Sequence, residues 1–241
     1  MKKILVVRYR FIGDMILTIP FLRNLRYEYP DAQIDMLVSP NSGEVLQNIP
    51  YVDNFIFFDT TRKHKYEKGT GDKKSFWYYV KLLKKEKYDK AYVLKRSFSS
   101  AALVFFAGIK ERVGFNTEFR GFLLTKKVKY DMLKHESLCF LDVLSADGIP
   151  VKDTYIENKT NEESDKKVSV ILKYKGIEYG QKFAVVHATS SNEFKTWEKE
   201  NFEKIIEYIS NEKNMPVVFL GASSDRQYYD GMHYSLPLKI T

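Results

Sequence analysis

Residues 3–20 constrain this chain more than any other stretch. The run Lys3-Ile4-Leu5-Val6-Val7-Arg8 breaks at Phe11-Ile12-Gly13-Asp14, after which apolar residues recur at roughly three- to four-residue intervals: Ile16, Ile19, Pro20, Leu22 and Leu25. Ile4 to Val7 are too few and too β-branched to start a helix, so the pattern predicts strand, tight turn, helix. Asp14 then sits at the carboxyl end of a strand. Ligands bind there in open α/β sheets, because the loops line a crevice and the following helix turns its positive end into it. Asp14 is also explained as an N-cap with no chemistry attached, and Gly13 as a residue supplying a positive φ.

With 241 residues and 44% hydrophobic content the chain can form one large or two modest domains around a substantial core. A net charge of +8 suits an anionic partner such as a phosphorylated substrate, a membrane surface or nucleic acid. Cys139 is the single cysteine, set in the apolar stretch Leu138-Cys139-Phe140-Leu141, and reads as a small buried hydrophobe. The histidines His64, His135, His187 and His233 are far apart and show no zinc spacing, so no metal site is expected. Lys2 and Lys3 precede an apolar run, but Arg8, Arg10 and Asp14 interrupt it too soon for a signal peptide. No segment approaches the roughly twenty apolar residues of a membrane span, and a cytoplasmic protein is expected.

Strands are expected at Gln33 to Val38, Asn54 to Phe58, Lys90 to Leu94 and Arg112 to Phe115, with a further one in Leu123 to Val128. Helices are expected at Val45 to Ile49, Ser75 to Lys85, Ser97 to Phe106 and Glu136 to Ala146, the last stopped by Gly148 and Pro150. Thr60 to Lys74 reads as a basic loop carrying Arg62, Lys63, Lys65, Lys68, Lys73 and Lys74. The polar stretch Lys152 to Lys167 marks a linker between a lobe at 1–151 and a second at 168–241. In the second, helix Val168 to Lys175, strand Phe183 to His187, helix Asn201 to Ile209 and strand Val217 to Leu220 precede a last strand at Leu236 to Ile240. Strands alternating with helices on both sides of a linker imply an α/β protein of two doubly wound lobes, the second incomplete.

Strand Phe183 to Val186 delivers His187-Ala188-Thr189-Ser190-Ser191, then Lys195-Thr196-Trp197. Hydroxyl residues after a strand can donate to phosphate oxygens and a nearby lysine supplies positive charge, which makes a diphosphate cradle. An ordinary polar loop with Trp197 as a packing anchor explains the spacing equally well.

Taken in order, the motifs resemble glycosyltransferase family 9, the ADP-heptose:lipopolysaccharide heptosyltransferases. The ordered set is Arg8, Gly13-Asp14 and Thr18-Ile19-Pro20; Asp31-Ala32-Gln33-Ile34-Asp35; Ser99-Ser100-Ala101 to Ala107-Gly108-Ile109; and Arg112-Val113-Gly114-Phe115. His135-Glu136, Gly148-Ile149-Pro150, His187-Ala188-Thr189 to Lys195-Thr196-Trp197, and Gly221-Ala222 follow. The resemblance spans essentially the whole chain. It implies a GT-B-like fold of two Rossmann-like lobes, the first holding the acceptor and the second the nucleotide sugar. The implied reaction is an inverting transfer of a heptose or related sugar from an ADP-sugar to the lipopolysaccharide inner core, with no cofactor and no metal. Asp14 matches the family's general base. Thr189, Ser190 and Lys195 match positions that hold the donor diphosphate, and Asp225 an acidic position near the donor ribose. Gly13, Arg62, Lys63, Arg112 and Arg120 are expected to meet the anionic lipopolysaccharide or lipid-linked glycan acceptor, with peripheral contact at the cytoplasmic face of the inner membrane.

Relatives continue to an acidic, glycine-containing motif followed by histidine that is not found here, which points to a truncated chain with an unpaired sheet edge. A non-catalytic remnant acting as a glycan-binding module is the competing expectation. A Rossmann oxidoreductase is disfavoured because no G-x-G-x-x-G follows the first strand. A nucleic-acid binder is disfavoured because no DNA- or RNA-binding module is recognisable.

Overall fold

A computed structural model describes residues 1–59, 73–157, 159–190 and 193–230. They divide into two compact units, Met1–Lys159 and Thr160–Thr241. The expected basic loop falls mostly outside the described residues, and with it Arg62 and Lys63; so does the expected strand at Leu236 to Ile240.

The first unit is a six-stranded sheet in the order β3-β2-β1-β4-β5-β6. Its strands are β1 (Lys3–Val7), β2 (Gln33–Val38), β3 (Asn54–Phe57), β4 (Lys90–Val93), β5 (Glu111–Phe115) and β6 (Lys126–Val128). All neighbouring pairs are parallel. This is the doubly wound order, in which the chain winds outward both ways from β1. Ile4 to Val7 are buried on both sides, which explains why β1 is an unbroken apolar run instead of an alternation. Ile4 and Val6 face one core layer with α1 (Ile12–Glu28) and α5 (Glu136–Ala146), while Leu5 and Val7 face the other with α3 (Phe76–Glu86) and α4 (Phe98–Phe106).

Local chemistry sets the element ends. Ser75 caps α3, its hydroxyl accepting from the Tyr78 amide at 3.2 Å. The expected helix at Val45 to Ile49 is instead α2 (Pro40–Gly43) continued by a 3-10 turn over Glu44–Leu46. Pro40 supplies the preset φ of a first helical position, which the apolar pattern alone did not reveal. Between β1 and α1 the backbone makes an unusual corner, with Arg10 at φ 75° and Phe11 at φ 56°.

The segment after α5 stays with the first unit. Arg23 of α1 binds Asp153, donates to Glu157 at 3.2 Å and reaches the Tyr155 carbonyl, and Asn24 accepts from the Lys152 amide at 2.7 Å. The next helix, α6 (Glu162–Tyr174), begins six residues before the expected Val168 start, capped by Asn161, whose side chain accepts from the Ser164 amide at 2.7 Å. The second unit pairs β7 (Ala184–Val186) with β8 (Val217–Phe219) in parallel. It also contains α7 (Lys199–Glu207) and α8 (Arg226–Asp230), and α7 runs on into a π-helical turn over Tyr208–Glu212.

Candidate functional site

β1 is flanked by β2 and β4, and the winding direction reverses between β1 and β4, which opens a crevice at their carboxyl ends. The amides of Leu94 and Lys95 both donate to the Val7 carbonyl at 3.1 Å, locking the two strand ends together. The residues just beyond them are Arg8, Arg10, Lys95 and Arg96, and Asp14 stands in the first turn of α1.

The N-cap of α1 is Phe11, which has no capping side chain. Asp14 is therefore not the cap. Its Oδ2 lies 2.6 Å from Nη2 of Arg8, whose side chain is only 4% exposed against 25% for Asp14. The same Arg8 nitrogen lies 3.5 Å from Oε1 of Glu136, the first residue of α5. Glu136 in turn accepts from the Tyr130 hydroxyl at 2.6 Å, and the Arg96 guanidinium stacks 3.9 Å from the Tyr130 ring centre. Burial, reinforced by the Glu136 hydrogen bond, pushes the Tyr130 phenol up to about 12, so it stays a donor.

Lys95 makes no ion pair among the described residues. Its ammonium and the Arg10 guanidinium lie 5.7 and 5.9 Å from the centre of the Tyr9 ring. Burial first, then the neighbouring Arg8 and Arg10 and to a lesser degree Arg96, lower Lys95 to about 8 against an opposing pull from Asp14. A half-buried carboxylate thus stands beside a group of cations, one of them the half-buried Lys95, which makes no ion pair among the described residues.

Gly13 adjoins Asp14 in the first turn of α1. Its φ is not positive and a Cβ added there would meet nothing within 4 Å, so neither the backbone nor the packing of this chain explains a glycine.

Arg112 and Arg120 correct the expectation that they face an acceptor. Arg120 is fully buried: Nε donates to the Phe115 carbonyl at 2.8 Å, and Nη1 to the Ser97 carbonyl at 3.0 Å, to Ser100 Oγ at 3.1 Å and to the Lys95 carbonyl. Arg112 donates from Nε to the Leu123 carbonyl at 2.7 Å and from Nη1 to the carbonyls of Lys110 and Ile109. Both guanidiniums close loops at the ends of β4 and β5, and a charge count along the sequence does not register where such a side chain folds back.

In the second unit, the loops after β7 and β8 are stitched together. Asp225 Oδ2 accepts from Thr189 Oγ1 at 2.9 Å and from the Ala222 amide at 2.8 Å. The Tyr229 hydroxyl accepts from the Ala188 amide at 2.9 Å and donates to the Leu220 carbonyl at 2.8 Å. Gly221 keeps this turn close, since a Cβ would lie 3.0 Å from both Asp225 Oδ2 and the Tyr229 ring and would press on both. Ser190 and Lys195 are exposed, Lys195 ending a 3-10 turn over Glu193–Lys195, and Trp197 packs edge-on against Phe202 at 5.4 Å. Thr189 and Asp225 are therefore brought together, while Lys195 lies exposed on the next turn.

Sequence reasoning missed Arg10, Lys95, Arg96 and Tyr229. The signal for Lys95 and Arg96 was two consecutive cations closing an apolar strand, which gains meaning only once that strand is known to lie beside β1.

Residues 77–232 match the family model described as glycosyltransferase family 9 (heptosyltransferase). The chain is 26% identical over 233 residues to lipooligosaccharide heptosyltransferase 2 of Haemophilus ducreyi, covering 93% of this chain and 64% of that protein. It is 34% identical over 122 residues to lipopolysaccharide heptosyltransferase 2 of Escherichia coli K12, covering 51% of this chain and 33% of that one. It thus spans less than two thirds of the length of these relatives. Among solved structures, a family 9 glycosyl transferase from Veillonella parvula superposes with a TM-score of 0.82 at 20% identity, over 99% of this chain and 68% of that one. The Escherichia coli ADP-heptose lipopolysaccharide heptosyltransferase II does so at 0.70 and 21% identity, over 96% and 68%. The fold they share with this chain is of the GT-B type.

Proposed function

The chain belongs to glycosyltransferase family 9, and from that membership we propose that it transfers a heptose or related sugar from an ADP-sugar to the lipopolysaccharide inner core, with inversion. The observation that carries this reading is Asp14: a carboxylate in the first turn of α1, at the switch point of a doubly wound sheet, tethered by a nearly buried arginine. Asp14 takes the proton of the acceptor hydroxyl as that oxygen attacks the anomeric carbon and ADP leaves. Arg8 fixes the direction of the carboxylate, so that position rather than basicity supplies the catalysis. The cations Arg10, Lys95 and Arg96 suit an acceptor bearing phosphate or carboxylate groups, and take the place expected for Arg112 and Arg120. Gly13 leaves open space in which an acceptor can approach the helix end.

For the donor, Ser190 supplies a hydroxyl and Lys195 a positive charge to the diphosphate, stabilising charge on the departing ADP, while Thr189, whose hydroxyl proton goes to Asp225, orders the loop that presents them. Asp225 and Tyr229 act as positioning residues, because they hold the Thr189 loop against the Gly221 turn. No helix among the described residues is long and apolar enough to cross a membrane. We place the protein at the cytoplasmic face of the inner membrane, where a lipid-borne acceptor is within reach.

The test is to incubate the protein with ADP-heptose and a soluble inner-core acceptor and follow ADP release and the mass of the acceptor. Transfer that falls by about two to four powers of ten in Asp14→Asn, with an unchanged circular dichroism spectrum, supports the reading. Acceptor binding without transfer by the wild type, or full turnover by the variant, overturns it.

A further inference from the structure

One face of the first unit, built by α3, α4 and the 3-10 turn over Arg120–Leu123, carries large aromatic side chains in the open. Exposure runs from 42% at Phe105 and 45% at Phe98 to 70% at Phe122 and 98% at Phe119, with Trp77 at 57% and Phe106 at 48%. The rings are clustered: Trp77 lies 5.3 Å from Phe106, Phe105 5.5 Å from Phe106, and Phe98 6.2 Å from Phe122. These residues are not needed for the core, since α4 already buries Ala101 to Val104 and α3 buries Tyr79, Val80 and Leu83. A helix that carries large apolar side chains on its outward as well as its inward side, as α4 does beyond Ser99 and Ser100, normally lies inside a protein or against an apolar phase.

The charge around this face is positive. On α3, Trp77, Lys81 and Lys84 follow i, i+4, i+7 spacing along one outward stripe, and Lys85 is exposed on the same helix. The nearby acids are engaged: Glu86 with Lys3 at 3.1 Å, Glu111 with Lys90 at 2.8 Å, and Glu118 with the Phe98 amide at 2.8 Å. Two copies of this chain meeting symmetrically through the face would bring their lysines together, which disfavours self-association.

We propose that this face docks on an anionic lipid bilayer, its rings seated at headgroup depth and its α3 lysines against the lipid charge. Aromatic rings bordered by lysine are the composition that membrane interfaces select. The face also adjoins the Asp14 crevice, because Arg120 ties its 3-10 turn to the carbonyls of Lys95 and Ser97. The inference rests on the proposed function only in that a lipid-borne acceptor gives the docking a purpose. The docking itself requires no transfer.

The experiment is flotation of the whole protein with vesicles of phosphatidylcholine alone or mixed with phosphatidylglycerol, over a range of salt. The expected result is binding to the mixed vesicles, weakened by salt and weak on phosphatidylcholine alone. Replacing Lys81 and Lys84 by Gln should weaken binding about 25-fold, roughly fivefold for each lysine. Trp77→Ser with Phe106→Ser should abolish it, while Phe194→Ser, an equally open ring of the second unit, should not change it. Each variant is checked for an unchanged thermal midpoint and for turnover of a soluble acceptor. Asp14→Asn should float like the wild type, so that failure of the docking and failure of the transferase reading are told apart. Absence of wild-type binding, equal binding by the ring and lysine variants, or a wild-type dimer that the ring variants dissociate would overturn the proposal.

Discussion

Replacing Arg120 by Met keeps the aliphatic stem and removes the guanidinium, and the structure fixes what that costs. The Phe115 carbonyl loses its Arg120 Nε partner at 2.8 Å, and an orphaned buried carbonyl costs roughly 1–3 kcal/mol. The carbonyls of Lys95 and Ser97 fare better, because the single Ser100 hydroxyl proton can stay on the Lys95 carbonyl at 2.8 Å while the Ser100 amide donates to the Ser97 carbonyl at 3.2 Å. Their loss is limited to the charge-assisted part of each bond, about 1 kcal/mol apiece. Against this, burial lowers the Arg120 guanidinium to about 10, so its removal relieves a desolvation cost. The balance is a net destabilisation of about 3 kcal/mol. For a unit of this length, that corresponds to a fall in Tm of about 6–12 °C, read by circular dichroism melts. Arg120→Lys should fall nearly as far, because an ammonium cannot span carbonyls that the planar fork reaches together. In both variants the acceptor KM of the protein that remains folded should be unchanged. A Tm within about 2 °C of the wild type, together with a raised acceptor KM, would show that Arg120 faces a ligand and that its burial has been misjudged.

Further outcomes follow from the same crevice. Lys95 titrates near 8 in the folded protein against an ordinary 10.5, so its charged form costs stability; that cost is fully present below pH 8 and is relieved as pH rises to 10.5. Lys95→Met should therefore be more stable than the wild type at neutral pH, with the difference shrinking across that window in urea unfolding; a difference that grows with pH refutes the assignment. Gly13→Ala should raise stability by about 0.5 kcal/mol, since a Cβ meets nothing there and alanine is the better helix former. The same change should raise the acceptor KM, and an unchanged KM removes Gly13 from the acceptor site.

Much of the first unit was legible because parallel strands buried on both faces announce themselves as short apolar runs, and Ile4 to Val7 are the clearest case. Helix α5 was legible to the residue, since Gly148 and Pro150 stop it by steric means that operate locally. What could not be read was anything decided by sheet order. Lys95 and Arg96 are ordinary surface cations until β4 is placed beside β1, and only then do they face Arg8 and Asp14. Arg112 and Arg120 failed for the opposite reason: an arginine carries the same charge whether it meets solvent or the chain's own backbone carbonyls. Asp14 was located correctly at a strand end, yet the cap alternative was settled only by finding Phe11 at the cap and Arg8 at the carboxylate.

The corner formed by Arg10 and Phe11 holds two side-chain-bearing residues at positive φ, each at a cost of about 1–2 kcal/mol that glycine would not incur. A designer seeking only thermal stability would write glycine at both positions. Such a chain would gain durability and lose the cation and the exposed ring that the corner holds at the mouth of the crevice. Attempts to harden this protein should therefore leave the corner alone and look to α6, none of whose residues is buried, where substitutions carry no such exchange.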